Sequence, residues 1–270
     1  MSWIDIGVNL ADSRLDAEPV IQRAINAGIE KLVITGTNIQ ASYNALTLAK
    51  SHPKTLYTTA GVHPHHAKHF DHQTRTNLEK LANDKQVVAI GECGLDFNRN
   101  FSTPAQQLHA FEQQLQLASE LSLPVFLHER DAFAEQVSLL KKYRSELVGG
   151  VAHCFTGDSE QMAQYLDLDL YIGITGWVCD TKRGQALRNA VSSLPLERLL
   201  IETDAPYLRP KGLPNNRKLD KGNNEPGYLP FIAAELSKLM GVELQALQQT
   251  CYDNTHTLFN KIKIGIGSEH

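Results

Sequence analysis

Long apolar runs are missing from this 270-residue chain, and none approaches the roughly 20 residues that a membrane helix needs. A helical membrane span is therefore not expected. Cysteine is scarce: Cys93, Cys154, Cys179 and Cys251 are widely spaced and form no CxxC pair. That gives no dense disulfide framework and suits a reducing compartment, although Cys93 and Cys154 flank candidate ligands and could themselves ligate zinc. The opening residues Met1-Ser2-Trp3-Ile4-Asp5 lack a basic segment followed by an apolar stretch, so no signal peptide is expected and the cytoplasm is the expected location. Positive charge is not in excess either. With a formal net charge of −4, a nucleic-acid partner would need a local basic patch or a bound cation.

A Gly-rich nucleotide fingerprint is absent too, since the first apolar run ends Asp5-Ile6-Gly7-Val8-Asn9-Leu10. This weighs against an open doubly wound sheet. No short repeat and no low-complexity tract is present. What remains is a regular alternation. Apolar, β-branched runs at residues 3–8, 31–35, 56–62, 87–91, 125–127, 149–152, 170–174 and 199–203 predict strands. Segments of helical period lie between them, and two more at 229–240 and 244–258 finish the chain. Gly28 stops the first helix and Pro104 suits the first turn of the long helix 104–121. Eight strands alternating with helices over about 250 residues predict an α/β fold, a TIM-like (β/α)8 barrel, as a single domain over residues 1–270. One long loop candidate, residues 205–227, is rich in Pro, Gly, Asn and basic residues.

In such a barrel, polar residues at the carboxyl ends of strands face the active site. Those ends carry Asn9, Thr35, His63, Glu92, His128, His153 and Asp204, with Trp177 a little beyond its strand. Three imidazoles and two carboxylates form a mixed nitrogen and oxygen ligand set, suited to Zn²⁺ or Mn²⁺ and less to Mg²⁺. Glu92 is a charge in an apolar setting, which calls for a partner or a metal. His128 or His153 alone would read as a core histidine; at equivalent strand ends they read as ligands. Alternation is expected to turn Glu202 toward the helices, and Cys93 and Cys154 into the core.

A metal held this way would make hydroxide available near neutrality and polarise a carbonyl or phosphoryl oxygen. Asp204 would orient or deprotonate the attacking water. His63 would bond a substrate oxygen or protonate a leaving group. Amide, lactone and phosphodiester hydrolysis all remain open on these parts. The surroundings favour an anionic substrate. Arg209, Lys211, Arg217, Lys218 and Lys221 cluster after the eighth strand, and Arg99, Arg130, Lys182 and Arg183 follow other strand ends. Phe97, Phe101, Trp177 and Tyr207 could stack on bases. His65, His66, His69 and His72 read chiefly as a solvated loop, with His65 kept as a substrate contact beside Arg99, Arg130, Trp177 and Arg209.

Six segments together resemble the TatD family of metal-dependent deoxyribonucleases. They are Gly61-Val62-His63-Pro64-His65, Ile90-Gly91-Glu92-Cys93-Gly94-Leu95-Asp96, Pro124-Val125-Phe126-Leu127-His128-Glu129-Arg130, His153-Cys154-Phe155-Thr156-Gly157, Glu202-Thr203-Asp204-Ala205-Pro206-Tyr207-Leu208 and Asn224-Glu225-Pro226. The resemblance runs from about Asp5 to Phe259. It implies a barrel of the metal-dependent hydrolase superfamily and a Mg²⁺-dependent 3′–5′ exonuclease for single-stranded DNA or RNA, linked to DNA repair and DNA fragmentation. It implies metal ligands at Glu92, His128, His153 and Asp204, with His63 near the scissile phosphate, and catalytic roles for Asp204, His63 and Glu92. A monomer is expected. One departure stands out: where relatives open with Asp-x-His-x-His, this chain has Gly7 and Asn9. One of the two usual metal sites is then expected to be weakened or absent. The competing readings are a hydrolase of small amides or lactones, and a nucleic-acid-binding protein with a degenerate site.

Overall fold

Eight parallel strands, each hydrogen-bonded to the next in chain order, form one sheet that curls into a barrel. The structure is a computed structural model and describes residues 2–213 and 222–263. The strands are β1 (Trp3–Val8), β2 (Ile29–Ile34), β3 (Leu56–Ala60), β4 (Val87–Asp96), β5 (Val125–Arg130), β6 (Gly150–Ala152), β7 (Tyr171–Ile174) and β8 (Leu199–Ile201). Between them run α1 (Ala17–Asn26), α2 (Ile39–Ser51), α3 (His72–Ala82), α4 (Pro104–Leu121), α5 (Phe133–Tyr143), α6 (Ser159–Asp167) and α7 (Gln185–Ala190). After them come α8 (Leu229–Met240) and α9 (Leu244–Leu258). The ring is closed by the chain just beyond β8: Val8 bridges Ala205, Gly7 C=O accepts from Asp204 N–H at 2.8 Å, and Ala205 C=O accepts from Asn9 N–H at 2.7 Å.

Alternation along the strands builds two cores. Ile4, Ile6, Val33, Tyr57, Val88, Phe126, Val151, Tyr171 and Leu200 fill the barrel, and Leu258, Phe259 and Ile262 from the end of α9 pack with them. The larger core lies between strands and helices. The α9 end sits at the amino-terminal mouth, where Lys263 N–H donates to Tyr57 Oη and Lys261 Nζ to Ala82 C=O. The carboxyl-terminal ends of the strands lie at the opposite mouth.

Pro104 stands in the first turn of α4 as expected, and two helix starts are capped by side chains. Thr103 and Gln106 form a capping box ahead of Pro104, and Asp158 caps α6 in the same manner with Gln161. The main difference from expectation is β4. It runs to Asp96 rather than ending at Gly91, because residues 93–96 pair with residues 127–130 of β5. Glu92 and His128 therefore lie inside strands, on a ribbon that rises into the mouth. Gly94 allows this pairing: at φ +136° a Cβ there would stand 2.0 Å from His128 O.

Candidate active site at the carboxyl-terminal mouth

Glu92 is the centre of the site. Its Oε1 lies 2.9 Å from His128 Nδ1, 3.4 Å from His153 Nε2 and 3.6 Å from His63 Nε2. Four strand sectors supply these groups: β3 through the turn after it, β4, β5 and β6. Glu92 is buried, and burial works against its charge, yet the imidazoles of His63, His128 and His153 hold its carboxyl well below the ordinary range. Ligand atoms of His63, Glu92 and His128 all lie within 4.8 Å of one another.

Each imidazole has its second nitrogen engaged differently. His153 Nδ1 lies 2.7 Å from Glu202 Oε2, whose other oxygen accepts from Cys154 N–H at 2.6 Å. Burial opposes the imidazolium, but Glu202 raises His153 well above its usual pKa. Glu202 thus points into the barrel, not toward the helices. The correction follows from the pleat, which puts Glu202 on the same face as Leu200, a residue of the barrel interior. His63 Nδ1 accepts from His65 N–H at 3.1 Å. Burial pushes His63 down to about 3, so its ring is neutral and the hydrogen-bond pattern assigns its proton to Nε2. That nitrogen is a donor aimed at the site. His128 Nε2 is buried without a hydrogen-bond partner and lies 3.6 Å from Asp96 Oδ2. Burial lowers His128, but Asp96 and Glu92 outweigh it and bring it to about 9.

Asp204 follows β8 in the left-handed region at φ +54°, and its Oδ1 accepts from Asn9 Nδ2 at 3.0 Å. Burial raises Asp204 to about 7, with His153 countering and the charges of Glu92 and Glu202 adding to the rise. Cys154 is not a core residue as expected. It is half-buried at the rim, with Sγ 3.9 Å from Thr175 Oγ1 and its thiol raised by burial and by Asp204. The left-handed backbone at Cys154 breaks the alternation on which that expectation rested. Cys93 lies in the outer core.

The structure also shows what fills the place of the missing histidines. A Cβ on Gly7 would stand 2.2 Å from Glu202 Oε2. The Asn9 amide turns its NH₂ toward Asp204 and Ala205 O. No second cluster of three ligating side chains is present among the described residues. The donor set fits one divalent ion beside Glu92: a buried carboxylate, imidazole nitrogens converging on it, and distal nitrogens facing carboxylates.

The remaining predicted contacts are spread around the mouth. His65 Nε2 lies 2.7 Å from Asp96 Oδ2, and its ring meets Phe101 edge-on at 4.8 Å, with Phe101 55% exposed. Arg99 and Arg130 are exposed at the ends of β4 and β5. Trp177 carries the Arg183 guanidinium 4.6 Å above its ring, and Arg209 lies 5.6 Å from the Tyr228 ring centre. Arg217, Lys218 and Lys221 lie outside the described residues. Asp96, the last residue of the Ile90–Asp96 motif, is a site group that no run-closing pattern marks. Reading β4 as longer would have put it four residues beyond Glu92 at the strand's end.

A sequence profile described as TatD related DNase matches residues 4–260. The chain belongs to the TatD-related DNase family. It is 48% identical to the 3′-5′ ssDNA/RNA exonuclease TatD of Erwinia tasmaniensis over 95% of this chain and 99% of that protein. It is 47% identical to the protein of the same name from Salmonella typhimurium, over 96% and 99%. Among solved structures, the TatD homolog YJJV from Escherichia coli superimposes with a TM-score of 0.86 at 29% identity, covering 96% of this chain and 98% of that one. An organophosphorus hydrolase from Deinococcus radiodurans gives 0.60 at 14% identity, covering 95% and 92%, and shares the fold alone. TatD-family membership makes the chain a hydrolytic nuclease and implies a divalent metal. No helix among the described residues is long and apolar enough to cross a membrane.

Proposed function

We propose that this chain is a 3′–5′ exonuclease for single-stranded DNA and RNA, acting in DNA repair or DNA fragmentation. The observation that carries the reading is the convergence of Glu92 with three imidazoles at the open mouth, in a chain 48% identical to a protein named for that activity. Glu92, His128 and His153 hold one divalent cation, Mg²⁺ first, with Mn²⁺ or Zn²⁺ as substitutes. When bound, such an ion stabilises developing charge on a phosphoryl group and acidifies the attacking water.

The side chains supply the rest. Asp204, raised to about 7 and steadied by Asn9, takes the proton of the attacking water. His63, with its proton on Nε2, donates to a phosphate oxygen or to the departing 3′ oxygen. His65, Arg99, Arg130, Trp177 and Arg209 contact the strand: the arginines meet phosphates, and Trp177 stacks on a base. The enzyme works as a cytoplasmic monomer built of one domain.

The test uses end-labelled single-stranded DNA and RNA with Mg²⁺, Mn²⁺, Zn²⁺ or EDTA, beside Glu92→Ala and Asp204→Asn. Stepwise shortening from the 3′ end that needs metal and both carboxylates is expected. Absence of shortening under every metal overturns the reading, as does activity that survives Glu92→Ala.

A further inference from the structure

Asp96 has no role in the scheme above, yet its geometry links two site imidazoles. Its side chain is 1% exposed. Its Oδ1 accepts from Asn98 N–H at 2.9 Å and Arg99 N–H at 3.1 Å, which turns the chain at the end of β4. Its own peptide is clamped by Gln107, whose Oε1 accepts from Asp96 N–H at 2.8 Å and whose Nε2 donates to Asp96 O at 2.8 Å. The carboxylate therefore has little freedom, and Oδ2 alone is left to face the site. It accepts from His65 Nε2 at 2.7 Å and stands 3.6 Å from His128 Nε2, a buried nitrogen without a hydrogen-bond partner.

His128 turns its other nitrogen, Nδ1, toward Glu92. To offer a lone pair there, a neutral ring must carry its proton on Nε2. Nε2 is itself buried from solvent, so that proton needs an acceptor within the protein. We propose that Asp96 is a positioning residue that fixes His128 in the Nε2–H form and so presents Nδ1 to the cation beside Glu92. The proposal rests on the metal-dependent reading of the site. Asp96 stands behind His128 as Glu202 stands behind His153, at 3.6 Å against 2.7 Å, from a carboxylate on a different strand.

Asp96→Asn isolates this role. The asparagine oxygen keeps the Oδ1 place, because the N–H groups of Asn98 and Arg99 select an acceptor there. The amide NH₂ then faces His128 Nε2 and repels a proton on it. Metal-free wild type, D96N and D96A would be titrated calorimetrically with Mn²⁺. Imidazole ¹⁵N–¹H spectra of the Zn²⁺-saturated proteins would follow the His128 Nε2 proton, and thermal melts would check the fold. Mn²⁺ affinity should fall about 10- to 100-fold in D96N, with the melt nearly unchanged and the Nε2–H signal lost. Wild-type affinity and an unchanged signal in D96N would overturn the proposal. His65→Ala removes the other partner of Oδ2 and should keep Mn²⁺ affinity near wild type; an equal loss there would make His65 the agent and also overturn it. If wild type binds Mn²⁺ but shortens no oligonucleotide, the exonuclease reading falls while the D96N ratio still decides the role of Asp96. If wild type binds no Mn²⁺, both fall.

Discussion

Glu202 Oε2 lies 2.7 Å from His153 Nδ1, with the two side chains 0% and 3% exposed. Glu202 spends its second oxygen on Cys154 N–H. The pair therefore fixes which imidazole nitrogen faces Glu92 and leaves Nε2 for a ligand. Glu202→Gln keeps the shape but reverses the polarity. Its oxygen is retained by the Cys154 N–H, its NH₂ donates to Nδ1, and the ring proton moves to Nε2. Metal affinity should fall about 10- to 100-fold, with nuclease rate at limiting metal falling in parallel. Mn²⁺ calorimetry on metal-free protein measures the first effect, and unchanged affinity would show that the pair is structural.

Gly7 yields a packing prediction. The space where a side chain would start is taken by the Glu202 carboxylate and the Phe126 ring, at 2.2 and 3.3 Å from a Cβ. Gly7→Ala should destabilise the protein by about 1–3 kcal/mol through overpacking, with a melting temperature lower by several degrees. It should also weaken metal binding by displacing Glu202 from His153. Gly7→His should not create a second metal site, and a binding stoichiometry of two in that variant would contradict this account.

Asp5 controls a pH dependence of stability away from the ligands. It is fully buried, and burial raises it from the ordinary 3.8 to about 7, although Thr203 N–H, Thr203 O–H and Gly7 N–H all stabilise the charged form. The folded protein thus keeps a proton that the unfolded chain releases near pH 4. The stabilisation linked to that proton is complete below about pH 4, declines as pH rises, and is lost above about pH 7. Asp5→Asn removes the linkage. In EDTA it should match wild type near pH 4 and be the more stable of the two at pH 8, by urea unfolding. A constant difference between them across this range would sink the assignment.

The barrel was legible because its signal is repetitive. Eight buried parallel strands read as short apolar runs, and each was followed by a helical period. Glu92, His128 and His153 were legible for the same reason, as polar residues closing those runs. What escaped was support from a distance. Asp96 was hidden because β4 continues past Glu92 through Cys93-Gly94-Leu95, where glycine reads as a strand stop although its missing Cβ is what permits close pairing with β5. Glu202 was misplaced by miscounting the pleat from Asp204. The role of Gly7 required knowing which side chain fills the space beside it, and no local pattern carries that.

His63 provides the sharpest test of how the site is divided. Distance alone groups it with Glu92 and His128 as a ligand, but its Nδ1 already accepts from His65 N–H, so its Nε2 carries a proton and has no lone pair to give. A donor so placed is suited to act on substrate and not on metal. His63→Ala should leave Mn²⁺ affinity close to wild type while lowering kcat about 10²- to 10⁴-fold, the range for a general acid or transition-state donor. His63→Gln can put an amide N–H near the same point and should recover part of the loss if hydrogen bonding to the phosphate dominates. It should recover none if proton delivery to the leaving oxygen dominates. Calorimetry and single-turnover oligonucleotide cleavage at saturating Mn²⁺ separate these outcomes. A tenfold loss of affinity in His63→Ala would instead return His63 to the ligand set and remove the tautomer argument.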